Sequence, residues 1–388
     1  MNRYEHSHYV REEIIYRKEY FGVLVCYFGQ VSMSTSSPAI IAITKHGIEI
    51  ARKIKENLPD AEIYVPDKHN DSRNDISWFK EQTGDIVSSL FKKYDSLICI
   101  FSLGAVIRLI APVVVNKKSD PAVLVIDDKA NFIISALSGH LGGANALARK
   151  VSSFFPNSKP VITTAADVNE TIAVDLIGRQ FSWEIENYQN VTRVSAHMVN
   201  EEKIALYQDT GQLGWWPSAS LPKNITTVSS IEALKQPEFK GCLIISDRII
   251  SDSAILDKAV IYRPKTLVVG LGLHWTTSKE SIEKAIRSVM ENNGLSLKSI
   301  RSVSSLNRGA RVKGLQEFSE QQNIPLELYD KEILHGVKVP NPSETVLNYE
   351  GTASVSEASA ITASQGNLVI PKQKFPPDLT VAIARINF

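Results

Sequence analysis

Asn131-Phe132-Ile133-Ile134-Ser135-Ala136-Leu137-Ser138-Gly139-His140-Leu141-Gly142-Gly143-Ala144-Asn145-Ala146-Leu147-Ala148 joins an apolar run to a helical pattern through a turn with three glycines. Asn131 to Leu137 reads as a short strand, and Leu141, Ala144, Leu147, Ala148 and Val151 recur at helical spacing. The glycines therefore stand at a helix N-terminus, where the first N–H groups lack intrahelical acceptors and the macrodipole is positive. Such a turn can accept a carboxylate or a developing oxyanion, with Gly142 and Gly143 allowing close approach. The alternative is a tight strand-to-helix turn whose glycines serve backbone geometry alone. No Gly-Lys-Ser/Thr follows, which disfavours a phosphate P-loop, and a Rossmann fingerprint fits poorly.

Outward from this stretch the same rhythm repeats. Ala39 to Ile43 reads as a strand, Gly47 to Leu58 as an amphipathic helix, and Ala61 to Val65 as a strand. Ile86 to Tyr94 is a helix, Ser96 to Phe101 a strand, and Ser102-Leu103-Gly104 a turn into the helix Ala105 to Ile110. Alternation of this kind predicts a parallel sheet covered by helices, with ligands at the carboxyl ends of the strands. That edge is expected to collect Thr44-Lys45-His46-Gly47, Ser102-Leu103-Gly104 and the Ser138 to Asn145 turn. Val161 to Asp167 reads as a further strand ending in Thr163, Thr164 and Asp167; the acid is either a site group or a helix cap. Arg108, Lys117 and Lys118 are candidate carboxylate binders and Asp120 a candidate orienter of a base or a lysine. A solvated loop charge is the plainer account of each lysine.

The chain is long enough, at 388 residues, for two or three domains with their own cores. Lys and Arg number 43 against 42 Asp and Glu, without a long basic block, so global charge does not point to nucleic acid. Cys26, Cys99 and Cys242 lie in apolar runs without a CxxC pair, which predicts free thiols in a reducing compartment rather than zinc or disulfides. No run reaches the roughly 18 apolar residues of a membrane helix, and a cytoplasmic location is expected. The histidines show no recognisable ligand spacing, so no protein metal site is expected.

The fold class expected is α/β and multi-domain: an N-terminal parallel-sheet domain over 39–167, a small middle domain over 168–262 and a C-terminal α/β domain over 266–388. Residues 1–38 read as an extension, or as an artefact of start-codon choice ahead of Met33, although Phe21 to Phe28 could be a strand. Asp175 to Glu186 could connect domains as a helix, and Gly214-Trp215-Trp216-Pro217 reads as an aromatic turn used for packing. Thr266 to Leu273 opens the last domain as a strand, followed by a helix with Ile282, Ala285, Ile286, Val289 and Met290 on one face. Thr277 with Glu280, and Ser354 with Glu357, have capping-box spacing.

Four motifs in order, Gly104 to Arg108, Lys117 to Val123, Ser138 to Asn145 and Thr163 to Asp167, resemble the cobalamin biosynthesis protein G family (CbiG), whose members are cobalt-precorrin-5A hydrolases. The resemblance runs from about residue 39 to the C-terminus. It implies a cobalt-corrinoid substrate rich in carboxylates, opening of a δ-lactone with water, release of acetaldehyde and formation of cobalt-precorrin-5B in the anaerobic pathway. Cobalt then belongs to the substrate, and no resident cofactor is expected. Neither nucleic acid nor membrane is an expected partner; transient contact with other enzymes of the pathway is. Where the family usually has a cysteine and basic residues after the C-terminal glycine turn, this chain has Leu273-His274-Trp275, and a family Lys and Glu stand as Gly309 and Val312.

Within that reading His140 is the expected base, with Lys117 and Asp120 as further catalytic candidates. Arg108, Lys118, Ser138, Gly139, Gly142, Gly143, Asn145, Thr163, Thr164 and Asp167 are the expected substrate-binding residues. The amides of Gly142 and Gly143 are the expected oxyanion donors. A non-catalytic corrinoid or tetrapyrrole carrier is the competing reading, and a nicotinamide-dependent oxidoreductase a third.

Overall fold

The computed structural model describes residues 16–20, 23–27, 37–117, 119–216, 218, 220–308 and 312–388; Met33, Lys118 and Gly309 lie outside them. Two compact units result, Ser32–Leu176 with Met198–Asn200, and the rest of the chain. Strands β1 (Tyr16–Tyr20) and β2 (Val23–Tyr27) pair antiparallel, so the early apolar run is a strand over its central residues.

The Ser32–Leu176 unit is built on a seven-stranded sheet. Its strands are β3 (Ala39–Ala42), β4 (Glu62–Pro66), β5 (Ile76–Phe79), β6 (Ser96–Ile100), β7 (Ala122–Ile126), β8 (Phe132–Leu137) and β9 (Lys159–Val161). The helices are α1 (Lys45–Asn57), α2 (Thr83–Lys93), α3 (Leu103–Ile110), α4 (Ala144–Ser152) and the short α5 (Ala165–Val168). The order is β5-β4-β3-β6-β7-β8-β9. Alternate residues of β3 face opposite cores: Ile40 and Ala42 pack with Ile48 and Ile54 of α1 and Ala148 of α4, while Ala39 and Ile41 pack with Val87 and Leu90 of α2 and Val106 of α3. Helices therefore cover both faces, and β3 and β7 are buried along their whole length, as strands between two layers must be.

β3 to β7 run parallel, but β8 runs antiparallel to β7 and β9 follows β8. The expectation that the Ser138 turn shares an edge with Thr44 to Gly47 and Ser102 to Gly104 is thereby overturned. Leu137, the last residue of β8, pairs with Val123 near the start of β7. β7 has five residues at about 3.3 Å each, so roughly 16 Å separates the two edges. Alternation of strand and helix cannot reveal this, because β7 and β8 are joined by a short turn that permits a hairpin.

In the second unit, β10 (Glu184–Glu186), β11 (Ile204–Gln208), β12 (Ile225–Thr227), β13 (Gly241–Ile245) and β14 (Ala259–Arg263) form a five-stranded sheet, accompanied by α7 (Ser253–Leu256) and by α6 (Val191–Val199) up to His197. Asp175 to Glu186 is not a helix. Gly178 has a left-handed φ of 71° with the Trp183 ring beneath it, and turns lead directly into β10. Trp215 is buried and donates its ring N–H to Gln208, so this aromatic turn does serve packing.

β15 (Leu267–Leu273), β16 (Ile300–Leu306), β17 (Leu326–Tyr329), β18 (Asn367–Phe375) and β19 (Leu379–Arg385) join β1 and β2 in the last sheet. Its helices are α8 (Lys279–Asn292), α9 (Lys313–Gln322), α10 (Lys331–His335), α11 (Glu344–Glu350) and α12 (Val355–Ser364). Leu267, Val269 and Leu271 face α8, packing against Ile282, Ile286 and Met290. Gly270 and Gly272 allow α12 to approach on the other face: a Cβ at Gly270 would fall 1.9 Å from the Ser356 carbonyl oxygen. Neither capping box forms. Ser278, not Thr277, caps α8, and Thr277 bonds to Asp378 instead; Ser354 makes no side-chain cap bond at α12.

Candidate active site

Among the described residues the Ser138 turn and the segment after β9 come together around one imidazole. His140 Nε2 lies 3.0 Å from Asp167 Oδ2, and Nδ1 lies 3.2 Å from Asp175 Oδ1. Asn145, 4% exposed, donates to Asp167 at 2.8 Å and to Thr164 Oγ1 at 3.0 Å, and accepts from Ser135 Oγ at 2.7 Å. Arg149, one turn beyond Asn145 on α4, reaches the other Asp167 oxygen at 2.6 Å. Asp167 is thus part of the His140 cluster, held in place by the buried amide of Asn145.

Two neighbouring carboxylates favour the charged form of the histidine. A neutral imidazole has one N–H, so one of the two carboxylates would face a bare lone pair; only imidazolium donates at both nitrogens. Asp175 first, then Asp167, holds the His140 pKa above its ordinary value, against burial, which lowers it. For Asp167 burial raises the pKa, but hydrogen bonds from Arg149, His140 and Asn145 outweigh it and keep the carboxyl below its usual range. His140 is 18% exposed at its side chain, so this proton stands close to solvent and within reach of a ligand.

Gly143 plays a different part from the one expected. Gly143 N–H donates to His140 O at 3.0 Å, Ala144 N–H to Ser138 O at 3.2 Å and Asn145 N–H to Gly139 O at 3.0 Å. The expected oxyanion donor at Gly143, and the first two amides of α4, are therefore already bonded within the turn. Gly143 is required by its φ of 86°, and Gly142 by space, since a Cβ there would stand 2.4 Å from Ser138 Cβ and 2.8 Å from Ser138 O. A side chain at Gly139 would strike Asn145. Ser138 donates its hydroxyl to Asp120 O at 2.9 Å, tying the turn to the start of β7.

Asp120 closes a loop. It is 7% exposed and its carboxylate accepts from the amides of Val115 at 3.1 Å and Asn116 at 2.9 Å, closing its own loop instead of orienting a base or a lysine. Lys117 is exposed on that loop, and Arg108 is exposed and donates to Gly104 O on its own helix at 2.9 Å. Thr163 is exposed, whereas Thr164 belongs to the cluster. At the opposite edge Thr44 donates to Asp128, and His46 Nδ1 lies 3.1 Å from the same carboxylate.

Family models of the cobalamin synthesis G N-terminal region, the cobalamin biosynthesis central region and the cobalamin synthesis G C-terminus match residues 85–167, 172–264 and 267–384. A protein of Priestia megaterium named cobalt-precorrin-5A hydrolase is 38% identical over 356 residues, which cover 90% of this chain and 95% of that protein. The chain belongs to the cobalamin biosynthesis protein G family. A protein of Salmonella typhimurium with the same name is 27% identical over 345 residues, 87% of this chain and 95% of its own. A crystal structure of cobalamin biosynthesis protein chiG from Agrobacterium tumefaciens covers 31% of this chain and 99% of that one, at 25% identity and a TM-score of 0.26.

In this member of the cobalamin biosynthesis protein G family, three groups of the His140 cluster stand outside the sequence-based expectation: Ser135, Arg149 and Asp175. Arg149 could have been found from its i,i+4 relation to Asn145, and Ser135 from strand alternation. Asp175 carries no local signal, because a turn after α5 brings it to His140. No described helix is long and apolar enough to cross a membrane. No group of three or more His, Cys, Asp or Glu side chains among the described residues could hold a metal ion.

Proposed function

We propose that this protein hydrolyses cobalt-precorrin-5A in corrin-ring synthesis, opening the δ-lactone and releasing acetaldehyde to give cobalt-precorrin-5B. The observation that carries the reading is 38% identity over 90% of the chain to a protein named for that activity. The His140 cluster supplies suitable chemistry. Asp175, without the Asn145 and Arg149 bonds that hold Asp167, takes a proton from the attacking water. The water oxygen bonds to the lactone carbonyl carbon, the ring C–O bond breaks, and His140 as imidazolium gives its proton to the departing oxygen. That oxygen is then the hydroxyl of the two-carbon side chain. The neutral imidazole left beside it takes the proton back as the C–C bond breaks. Acetaldehyde leaves, the bonding electrons pass to the conjugated macrocycle, and the macrocycle receives the proton held by Asp175.

His140 thus serves first as acid and then as base at one oxygen, which modifies its expected role as base alone. Lys117 and Asp120 have no part in this scheme. Cobalt enters with the corrinoid substrate, and the scheme uses no resident cofactor. We place the reaction in the cytoplasm; the free, buried thiols of Cys99 and Cys242 support a reducing compartment.

Anaerobic incubation with cobalt-precorrin-5A, followed by acetaldehyde and by the mass of the corrinoid, tests the reading. Stoichiometric acetaldehyde is expected. Corrinoid bound without acetaldehyde would instead make the protein a carrier.

A further inference from the structure

α12 begins in the C-terminal domain with an unusual set of unused donors. Ser354 stands at its N-cap position, 1% exposed, yet its hydroxyl makes no cap bond and finds no partner among the described residues. The Ser356 hydroxyl, in a residue with 0% exposure, is unpartnered too. The first bond of the helix runs from Ala358 N–H to Ser354 O at 3.0 Å, which leaves the preceding amides of Val355, Ser356 and Glu357 without acceptors in the helix. All three residues are buried. Glu357 turns away, its carboxylate accepting from Asn341 N–H at 3.1 Å, Asn341 Nδ2 at 2.8 Å and Lys372 N–H at 3.0 Å.

Buried donors left unpaired are costly, and a folded chain that keeps them at a helix N-terminus suits an acceptor-rich, negatively charged ligand. Gly272 lies against Val355 and Ser356, so the helix opens at the carboxyl end of β15. That edge also carries Trp275, which is 48% exposed, and Arg308, whose guanidinium lies 5.3 Å from the Trp275 ring centroid. Arg308 is paired with Glu350 at 2.5 Å. With that charge balanced, the field left for a ligand is that of the helix end, which suits one carboxylate better than a multiply charged phosphate.

We propose that the N-terminus of α12 binds a carboxylate, held by the amides of Val355, Ser356 and Glu357 and the hydroxyls of Ser354 and Ser356. Its natural source is a peripheral carboxylate of the corrinoid, with Trp275 offering a face to the flat ring. That identity rests on the proposed hydrolase reading; the carboxylate site does not.

The test uses the full chain with cobyrinic acid, its heptamethyl ester and succinate as probes, read by calorimetric affinity and by thermal unfolding. Cobyrinic acid should bind and raise Tm, and the ester should do neither. Ser354→Ala and Ser356→Ala should each weaken cobyrinic acid about tenfold, as expected for a hydrogen bond to a charged group, while leaving the Tm of the free protein unchanged or higher. A lower free Tm with unchanged affinity would make the serines structural and overturn the site, as would equal binding of acid and ester. Succinate as tight as cobyrinic acid would keep the carboxylate site but overturn its corrinoid assignment. Should Ser356→Ala fail to fold, Ser354→Ala at the helix mouth carries the test. Acetaldehyde release on the same preparations separates the two readings: its absence with acid-selective binding overturns the hydrolase alone, and its presence with no acid selectivity overturns this site alone.

Discussion

Two helix starts in this protein carry opposite lessons. α4 follows a turn rich in glycine, the composition associated with anion cradles, yet its leading amides bond to Ser138 and Gly139 carbonyls and Gly143 bonds to His140. α12 follows a serine-bearing segment that reads as an ordinary capping box, yet the box is unmade and the hydroxyls of Ser354 and Ser356 have no partner among the described residues. Glycine content therefore reports what the backbone must do to turn, and says little about whether its donors remain available. At α4 the turn presents a side chain, His140; at α12 the helix presents its own end.

The largest expected effect falls on the α4 side. His140→Ala should lower acetaldehyde release by at least about a hundredfold, the scale of a lost general acid–base group, without loss of fold by circular dichroism. Retained turnover would remove the functional half of the comparison. Gly142→Ala comes next. Its Cβ would meet Ser138 backbone and side chain, so chemical denaturation should show a loss of about 3 kcal/mol, the upper end of overpacking costs. Gly143→Ala meets no neighbour within 4 Å and bears only the left-handed backbone penalty of about 1–2 kcal/mol. If the order were reversed, backbone conformation rather than crowding would govern the turn.

A subtler effect is expected with pH. The folded pKa of His140 is raised above the ordinary 6.5. Its imidazolium pairs thus contribute stability that is fully present below the unfolded value and is lost as pH rises through the folded one. Asp175→Asn should flatten that loss in a series of denaturation curves taken from pH 5.5 upward; an unchanged slope would mean that the pair does not set the histidine's charge. The smallest effect is expected at α12, where Ser354→Ala removes a buried hydroxyl without a partner among the described residues and should leave the unfolding free energy unchanged or higher in the absence of ligand. A loss would show that this hydroxyl is a cap after all, and the two helix starts would no longer differ.

Much of the architecture was legible in the chain. The apolar runs that became β3, β6 and β7, and the helical spacing that became α1 and α4, gave the α/β layers because burial on two faces demands continuous apolar strands. His140, Asn145, Thr164 and Asp167 could be singled out because each is a polar group set beside a strand end. Asp120 misled for the same reason: a carboxylate in a charged loop looks the same in sequence whether it faces a substrate or two amides of its own backbone.

By itself the sequence determined most of the elements of the first sheet and the family, since periodicity and motif order are local properties of the chain. Only the tertiary structure decided the reversal of β8, which moves the His140 turn to the other edge of the sheet, the arrival of Asp175 at His140, and which helix end keeps its donors. Each of these depends on which groups meet across long stretches of chain, and hydrogen-bond partners and charge pairs exist only once that meeting has occurred.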